Sequence, residues 1–389
     1  MSSQPLVITV GIDAANLRRG GGVTHLVELL TAADNEGRFK VVIWGGQQTL
    51  ARLPERPWME KVNPPELNRG VLHRIWWQLF SLGPAAHAAG CNVLFIPGGS
   101  YAGKFQPTVT MSQNLLPFEW MELRRYGWSL NTLKLLSLRY SQAHSFRAAN
   151  GVIFLTNYAK QVVLDVTGPL AGRSVIIPHG LNPRFQIRPE DRHELDDYTD
   201  ARPCRLLYVS NIDYYKHQRH VIEAVHMLRS EGFSAVLDLI GPAYPPALAC
   251  LQAAITRFDP EGRWLHYHGE VSYESLHENY RKADIGVYAS SCETFGIPLL
   301  EAMAASLPIA CSNRSAMPEI LGEAGLYFDP ENSTDIAQAI RKYILDPGLR
   351  RKNAALSYER CLQYSWRRCA DQTFQFLEEV ANGEGEGKA

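Results

Sequence analysis

An apolar run from Asp284 to Ala289 (DIGVYA) leads through a short loop into a helix-forming segment, LLEAMAA. The run predicts a buried strand. Pro298 suits the first turn of the following helix, because the N–H that proline lacks would be unpaired there in any case. Glu293 then lies in the strand-to-helix loop, and Glu301 lies one turn into the helix. A strand that passes directly into a helix is the repeating unit of a parallel α/β sheet.

The start of this predicted helix favours an anionic ligand. The backbone N–H groups of Phe295, Gly296 and Ile297 lie at its positive end, where phosphates bind. Glu293 and Glu301 add one carboxylate on each side of that position. Two hydrogen-bond acceptors that flank an anion site suit a ligand with hydroxyls on both sides of a phosphate. A nucleotide sugar is such a ligand.

The same alternation of strands and helices extends along both halves of the chain. Further short apolar runs predict strands at 6–12, 39–44, 92–97, 108–112, 151–156 and 174–178, and then at 205–210, 235–240, 264–268, 308–312 and 326–328. The polar, proline-containing stretch 181–204 between the two sets predicts a linker. A chain of 389 residues also exceeds one comfortable core. We therefore expect two domains, each with a doubly wound parallel sheet.

In such sheets ligands bind at the carboxyl ends of the strands. In the first half that rule nominates four loops: Gly20–Gly22, Pro97–Gly99, Gln113-Asn114 and Thr156-Asn157. The triple glycine would let the backbone approach a phosphate or a sugar closely. It is not a G-x-G-x-x-G sequence, which weakens a dinucleotide interpretation. Taken alone, it fits a flexible turn as well as a binding loop.

Charge and cysteine content exclude several classes of protein. The net charge of −1 argues against a bulk electrostatic nucleic-acid binder. The seven cysteines are scattered and form no C-x-x-C, so we expect neither a disulfide framework nor a zinc site, and a reducing compartment fits. The first residues lack the basic and long apolar regions of a signal peptide. No apolar run approaches the ~18 residues that cross a bilayer. These features predict a soluble, cytoplasmic protein.

The spacing of Glu293 and Glu301, an E-x₇-E motif inside ETFGIPLLEAMA, is similar to that of retaining glycosyltransferases of family 4. The glycine loop, the IPHG segment at 177–180 and the sequence Gly269-Glu270-Val271 support the resemblance, which covers almost the whole chain. It implies a GT-B fold, with two Rossmann-like doubly wound domains facing a central cleft. The implied parts are an acceptor-binding domain at 1–183 with a crossover helix at about 364–381, a donor-binding domain at 184–363, and a disordered tail at 382–389.

The resemblance also implies a role for each matching residue. Catalysis falls to Glu293, Lys216 and Gln113; donor binding to Glu301, Thr294, Phe295, Gly296, Ile297, Asn211, Gly269, Glu270 and Val271; and an acceptor or phosphate loop to Gly20, Gly21, Gly22 and Asn114. Glu301 would hold the ribose, and Glu293 would face the hydroxyls of the donor sugar. Lys216 would neutralise the diphosphate and so stabilise the leaving group. Gly269 to Val271 would border the base.

Two positions depart from the family pattern. Asn211 stands where an arginine is common, and losing one of two cations weakens leaving-group stabilisation by ~1–3 kcal/mol. Arg219 is a candidate to compensate. Gln113, followed by Asn114, stands where a histidine is common, and neither side chain acts as a base near pH 7. A retaining transfer in which the departing phosphate is itself the base needs none.

We therefore expect an enzyme that moves a hexose, by similarity mannose from a GDP-sugar, to a polysaccharide or lipid-linked glycan of the cell surface, such as lipopolysaccharide. The chain contains no D-x-D, so we expect no metal and no other cofactor. One alternative is a degenerate glycosyltransferase that binds a nucleotide sugar or a partner without turnover, which Asn211 and Gln113 motivate. The other is a GT-B nucleotide-sugar epimerase, which would need acid/base carboxylates and histidines in its site. We expect His25, His179, His217 and His268 to be structural or solvent-facing.

Two aromatic-rich segments, LHRIWWQLFSL at 72–82 and YGWSLNTLKLLSLRY at 126–140, permit two interpretations. One is a core helix with a solvated face. The other is a patch that docks on the anionic inner face of the cytoplasmic membrane, where lipid-linked acceptors lie. The residues that motivate the second interpretation are Trp76, Trp77, Trp128, Arg124, Arg125 and Lys134.

Overall fold

The computed structural model describes residues 7–18, 20–35, 37–191 and 198–383. These residues form two compact units. The first unit comprises the described residues of Met1–Glu119, Trp128–Gly180 and Tyr364–Ala389. The second comprises those of Trp120–Gly127 and Leu181–Gln363.

Strands and helices alternate along the described residues. The strands are β1 (Ile8–Ala14), β2 (Phe39–Gly45), β3 (Met59–Val62), β4 (Val93–Ile96), β5 (Thr108–Met111), β6 (Gly151–Phe154), β7 (Arg173–Ile176), β8 (Cys204–Val209), β9 (Ala235–Ile240), β10 (Leu265–Tyr267), β11 (Ile285–Tyr288), β12 (Ile309–Ser312) and β13 (Gly325–Phe328). The α-helices are α1 (Gly21–Ala32), α2 (Gln47–Leu50), α3 (Val71–Trp76), α4 (Leu82–Ala88), α5 (Trp120–Leu123), α6 (Leu130–Ala148), α7 (Asn157–Thr167), α8 (Gln218–Ser230), α9 (Pro245–Phe258), α10 (Leu276–Lys282), α11 (Ile297–Ala304), α12 (Met317–Leu321), α13 (Ser333–Leu345), α14 (Pro347–Cys361) and α15 (Trp366–Ala381). Short 3₁₀ helices span Pro65–Asn68, Arg124–Tyr126, Pro183–Phe185, Pro189–Asp191 and Tyr214–Lys216, and a π-helical turn, Trp77–Ser81, joins α3 to α4.

Each unit is built on one parallel sheet. The strand order is β3-β2-β1-β4-β5-β6-β7 in the first unit and β10-β9-β8-β11-β12-β13 in the second. Inner strands such as β4 and β11 are buried at every position, because helices cover both faces of a parallel sheet. That burial explains why they are continuous apolar runs in the sequence. The expectation of two doubly wound Rossmann-like sheets is confirmed.

The C-terminal helix α15 belongs to the first unit, although the chain reaches it only after the whole second sheet. Phe374 stacks on Phe39 of β2, with ring centroids 4.0 Å apart and planes 4° from parallel. Phe376 lies so close to β6 that a Cβ at Gly151 would come within 2.9 Å of its ring. The predicted crossover helix therefore packs on the first sheet. Most of the predicted tail at 382–389 lies outside the described residues, which end at Gly383.

The structure corrects the sequence expectations at three places. The segment Trp120–Gly127, assigned to the first domain, packs within the second unit, because the Tyr126 hydroxyl donates to Asp213 at 2.6 Å and Arg125 pairs with Glu331 at 2.7 Å. Strand β3 was not expected, since its sequence MEKV is only half-buried at the sheet edge. Ser272 would suit the N-cap of the helix after β10, but that helix begins at Leu276 and its N-cap is Ser275.

Candidate functional site

The predicted donor residues lie at the point where the order of strands in the second sheet reverses. From β8 the chain builds outward through β9 and β10, and it then returns to build β11, β12 and β13 on the other side of β8. In doubly wound sheets the loops at such a point form the ligand crevice at the carboxyl ends of the strands. Here these loops are Ser210–His217 after β8 and Ala289–Gly296 after β11.

The Lys216 ammonium contacts Oε1 of Glu293, and the Tyr288 hydroxyl donates to the same oxygen at 2.8 Å. The side chains of Lys216 and Glu293 are only 5% and 16% exposed. The Lys216 Nζ also lies 5.0 and 5.7 Å from the ring centroids of Tyr215 and Tyr288. Burial and the nearby Glu293 charge hold the pKa of Tyr288 well above its usual value, so its phenol stays protonated and donates. The two predicted catalytic charges thus form one largely buried ion pair.

The backbone brings these two loops together. His217 has a left-handed φ of 53°, an uncommon conformation for a residue with a side chain. It ends the 3₁₀ turn Tyr214–Lys216, and its Nε2 lies 2.8 Å from the Ser291 hydroxyl. The Ser291 N–H donates to the Tyr215 carbonyl at 2.9 Å. Burial lowers the pKa of His217 to about 3, so the imidazole is neutral and acts as a structural link, as expected.

The loop after β11 turns into α11 through Gly296, whose φ is 95°. A Cβ there would also come within 3.0 Å of the Met317 side chain, so glycine suits this turn on both counts. In the part of the chain that the structure describes, the N–H groups of Gly296 and Ile297 have no protein acceptor. Phe295 is buried beneath the turn and Thr294 is half-buried. The N-terminus of α11 therefore has the donor geometry that favours an anion.

Glu301, in the second turn of α11, is 3% exposed. The Tyr280 hydroxyl lies 2.9 Å from its Oε2 and 3.2 Å from the Pro298 carbonyl. Burial and the Glu301 charge hold the pKa of Tyr280 far above its usual value. A buried carboxylate keeps only the partners that the protein supplies, so Glu301 is positioned by Tyr280.

The remaining predicted donor residues are spread more widely along the sheet edge. The Asn211 amide nitrogen lies 3.5 Å from the Tyr215 hydroxyl. Gly269, whose carbonyl accepts the Gly241 N–H at 2.8 Å, follows β10, and β9 separates that strand from β8. Glu270 is exposed and Val271 is half-buried. Arg219, the candidate to compensate for Asn211, pairs with Glu223 at 3.5 Å one turn along α8.

The glycine loop and Gln113 are neighbours in the first unit. A Cβ on Gly22 would lie 3.2 Å from the Gln113 side-chain oxygen, whereas Gly20 and Gly21 face open space. The Asn114 side chain is exposed, and its oxygen accepts the Leu116 N–H at 3.1 Å, which stabilises a local turn. Two of the four loops that sequence nominated therefore meet at the carboxyl edge of this sheet.

Asp13, at the end of β1, was missed by the sequence analysis. Its Oδ1 accepts the Ala15 N–H at 3.0 Å, and the Gln78 amide in the π-helical turn donates to Oδ2. Burial raises the pKa of Asp13 to about 6. An acidic residue at the end of a buried strand was a usable signal, whereas nothing local in the sequence predicts a π-helical turn at Gln78.

His25 and His179 form a buried pair in the same unit, with their Nδ1 atoms 3.0 Å apart. Trp366 of α15 lies against both rings, at centroid distances of 5.8 and 5.6 Å. Burial lowers the pKa of His25 to about 3 and holds that of His179 well below its usual value, since neither ring gains a compensating charge. Both imidazoles are therefore neutral and structural, as expected.

The buried His25–His179 pair predicts that the protein loses stability in acid. A histidine whose pKa is lower in the folded state does not reduce the free energy of unfolding above its unfolded pKa of about 6.5. Below that pH the unfolded chain binds a proton that the folded chain does not, so the free energy of unfolding falls as the pH falls. With a folded pKa of about 3, His25 alone lowers the free energy of unfolding by about 2 kcal/mol at pH 5. Thermal unfolding between pH 7.5 and 5 measures this slope. A His25→Phe/His179→Phe variant should lose most of it and an exposed-site His144→Gln variant should keep it; equal slopes in all three would contradict the assignment.

Comparisons with known proteins relate this chain to glycosyltransferases. Residues 197–360 match the family model described as Glycosyl transferases group 1. O-antigen chain mannosyltransferase B of Escherichia coli is 32% identical over 230 residues, which are 57% of this chain and 56% of that protein. The alignment thus spans little more than half the length of this curated relative.

Solved structures extend the likeness to nearly the whole chain. Sucrose-phosphate synthase of Thermosynechococcus elongatus gives a TM-score of 0.74 at 17% identity, over 97% of this chain and 100% of that one. HepE of Anabaena in complex with UDP gives 0.69 at 15% identity, over 96% and 100%. At these identities the likeness establishes the fold alone, which is GT-B.

Proposed function

We propose that this chain, with its glycosyl transferases group 1 region at residues 197–360 and its GT-B fold, is a retaining glycosyltransferase of family 4. It would move a hexose from a nucleotide-diphosphate sugar to a glycan acceptor. One observation carries the proposal most directly: Lys216 and Glu293 meet at the strand-order reversal of the second sheet, where a nucleotide is expected. A cation and a carboxylate at that point match the two ends of a sugar diphosphate.

The donor would be held by separate groups for its diphosphate, its ribose, its transferred sugar and its base. Lys216 and the N–H groups of Gly296 and Ile297 neutralise the diphosphate, and the buried Glu301 accepts the ribose hydroxyls. Glu293 accepts hydroxyls of the transferred sugar, with Thr294 and Phe295 beside it. Asn211 lies next to the phosphates, and Gly269 to Val271 border the base. Lys216, Glu293 and Glu301 are held by protein partners before the donor binds, so stabilising the donor requires little reorganisation of these side chains.

The proposed transfer step depends on the negative charge that develops on the departing diphosphate. As the bond between the sugar C1 and the phosphate oxygen breaks, negative charge grows on the diphosphate, and Lys216 stabilises it. The acceptor hydroxyl attacks C1 from the same face, and its proton passes to the departing phosphate oxygen. The anomeric configuration is therefore retained. Gln113 and Asn114 orient groups by hydrogen bonds, with the glycine loop Gly20–Gly22 admitting the acceptor, and no side-chain base or metal ion is required.

The substrates are proposed from the relatives. O-antigen chain mannosyltransferase B, by its name, transfers mannose to an O-antigen chain. We accordingly favour GDP-mannose or a related GDP-hexose as donor and a polysaccharide or lipid-linked glycan as acceptor, with the enzyme working in the cytoplasm. HepE was solved with UDP, so UDP-sugars are the first competitors to test.

A second function, nucleotide-sugar binding without turnover, is favoured by one observation. The position of the family's second cation is Asn211, and the nearby Arg219 is engaged by Glu223. A leaving group neutralised by Lys216 alone would depart more slowly. Binding and turnover must therefore be measured separately.

The experiment is a panel of UDP, GDP, ADP and their hexose derivatives. A bound nucleotide raises stability by RT ln(1 + [L]/Kd), so thermal shift identifies the base. Nucleotide release from the selected donor, with and without glycan acceptors, then identifies the activity. Acceptor-dependent release supports transfer, whereas a thermal shift without release from any donor supports the binder.

We also propose peripheral contact with an anionic membrane. Among the described residues no helix has the length and hydropathy needed to span a bilayer. Large apolar side chains recur along α3 and the π-helical turn on one exposed stripe: Leu72, Ile75, Trp76, Leu79 and Phe80. An apolar stripe of this size on a helix surface suits the lipid interface. Trp77 is buried and Arg125 is paired with Glu122 and Glu331, so neither belongs to this surface.

The α6 helix adds a second exposed face. Leu130, Leu133 and Tyr140 are exposed on it, and Lys134 supplies a positive charge among them. Trp128, just before the helix, is fully exposed. Each basic group near an anionic surface contributes about 1 kcal/mol to binding.

Liposome flotation tests the contact. The wild-type chain should float with vesicles that contain anionic lipid, and a Trp76→Ser/Phe80→Ser variant should stay in solution. A Lys134→Glu/Arg124→Glu variant should bind more weakly, and more so at low salt. Equal flotation of all three proteins would contradict the proposed membrane contact. A Glu261→Gln variant, changed at an exposed position of the second unit, is the matched control.

A further inference from the structure

Three side chains of metal-binding type meet on one face of the second sheet, near its β10 edge. His266 lies in β10 and His268 directly follows it, so their side chains, two residues apart, project to the same face. Asp238 lies on the neighbouring strand β9, in direct register with His266. Their convergence is thus a consequence of strand pairing, and no flexible loop is needed to create it.

The geometry of the three side chains is close to that of a coordination shell. The His268 Nε2 lies 2.7 Å and the His266 Nδ1 lies 3.4 Å from the Asp238 Oδ1. One ligand atom from each residue fits within a common span of 4.8 Å. Metal–nitrogen and metal–oxygen bonds of ~2.0–2.2 Å place neighbouring ligands about 3 Å apart, so small side-chain rotations suffice to enclose an ion.

The cluster is also accessible. The His266 and His268 side chains are 37% and 42% exposed, whereas Asp238 is 15% exposed. The carboxylate is therefore fixed at the base of the cluster, and the two imidazoles stand at its open side. An ion can enter from solvent, and water can complete its coordination.

We infer that Asp238, His266 and His268 form a binding site for a divalent transition-metal ion. Two imidazole nitrogens and one carboxylate suit Zn²⁺, Co²⁺ or Ni²⁺, whereas Ca²⁺ and Mg²⁺ prefer shells of oxygen ligands. The inference stands apart from the proposed transfer reaction, which needs no metal. The sequence analysis predicted no metal site here, although His266 and His268 are two residues apart in a predicted strand.

The Arg205 guanidinium competes with a metal ion for the Asp238 carboxylate. Its guanidinium lies 3.6 Å from the Asp238 Oδ2, on the oxygen that the histidines do not contact. It balances the Asp238 charge when no ion is present, and it repels a dication. Removing this charge should therefore strengthen metal binding, which is an effect that nonspecific binding to surface histidines would not show.

An ion at this site would join the edge strand to the rest of the sheet. Strand β10 pairs only with β9 among the described strands, and Gly269 lies two residues beyond its end. Coordination across β9 and β10 would hold the start of the 269–271 loop, which we propose borders the nucleotide base. Metal binding would then stabilise the second unit.

The test is titration of the 389-residue chain, after treatment with a chelator, with Zn²⁺ by calorimetry and with Co²⁺ by visible absorption. We expect one equivalent to bind at this cluster, with a Co²⁺ spectrum that lacks thiolate charge-transfer bands. Asp238→Asn and His266→Gln should each weaken Zn²⁺ binding by about tenfold or more. Arg205→Gln should tighten it, and His144→Gln, an exposed histidine of the first unit, should change nothing.

Three outcomes would overturn the inference. They are the absence of Zn²⁺ binding, unchanged affinity in the Asp238 and His266 variants, and thiolate bands in the Co²⁺ spectrum, which would move the ion to a cysteine. Thermal unfolding of every variant in chelator separates lost binding from lost fold, and the gain expected for Arg205→Gln does not depend on a damaged protein.

Discussion

Replacing Glu293 with glutamine is expected to lower acceptor-dependent nucleotide release by at least about 10²-fold, the usual effect of removing one fixed electrostatic group from an active site. Glutamine keeps the size of the side chain, but it removes the charge that pairs with Lys216 and would face the donor sugar. Nucleotide affinity, measured by calorimetry, should change much less, because we propose that other residues hold the base and the ribose. The Glu261→Gln variant, at an exposed position, should retain full turnover.

Glu293→Gln also breaks the ion pair with Lys216, so lost turnover has two candidate causes, lost chemistry and lost stability. A double variant separates them. Without Glu293, the Lys216 ammonium is left 5% exposed with no carboxylate partner. Breaking a buried pair in this way costs about 3–5 kcal/mol of stability, and the partial exposure of Glu293 makes the lower end more appropriate. A Lys216→Met/Glu293→Gln variant removes both charges and should recover most of that stability.

Turnover of the double variant distinguishes a role of the Lys216–Glu293 pair in transfer from a purely structural role. If the pair acts in transfer, the double variant recovers most of the lost stability and remains inactive. Recovered turnover in the double variant would show that the pair is structural, and so would near-normal turnover of Glu293→Gln alone. Thermal unfolding and nucleotide release on the same preparations provide both measurements.

Replacing Glu301 with alanine is expected to weaken nucleoside diphosphate binding by about 10- to 100-fold. The net loss of one charge-assisted hydrogen bond to a ribose hydroxyl, ~1.5–3 kcal/mol, accounts for that range. The sharper readout is discrimination between the diphosphate and its 2′,3′-dideoxy analogue. The wild-type chain should prefer the ribose form, and the Glu301→Ala variant should bind both equally.

Tyr280→Phe is the matched control for Glu301. It removes the hydroxyl 2.9 Å from the carboxylate and leaves the carboxylate itself in place. Ribose discrimination should persist in this variant with a modest loss of affinity. A Glu301→Ala variant that still prefers the ribose form would refute the role of Glu301, because the preference would then arise elsewhere.

Much of the fold could be predicted from the sequence, because parallel strands buried on both faces are continuous apolar runs. The loop with Glu293 and the helix with Glu301 could be placed for the same reason, since strand, loop and helix are contiguous. Strand β3 could not, as its edge position leaves it half-buried with a mixed sequence.

Contacts between residues far apart in the sequence were the main limit on what the sequence could predict. Lys216 and Glu293 are 77 residues apart, and they meet because β8 and β11 are neighbours, an order that no local pattern encodes. The resemblance to a family nominated both residues without showing that they touch. Tyr280 and Tyr288 were missed altogether, since a tyrosine that positions a carboxylate has the same sequence signature as one that only fills a core. The return of 120–127 to the second unit depends likewise on two distant partners, Asp213 and Glu331.

The most direct test of the central claim is the anomeric configuration of the product. Wild-type chain should be incubated with the donor selected by thermal shift, a glycan acceptor and excess chelator, and the new linkage should be followed by NMR as nucleotide is released. The account predicts that one class of donor is consumed, that release continues in chelator, and that the product keeps the anomeric configuration of the donor. An inverted product, or tight nucleotide binding with no release from any donor, would contradict it.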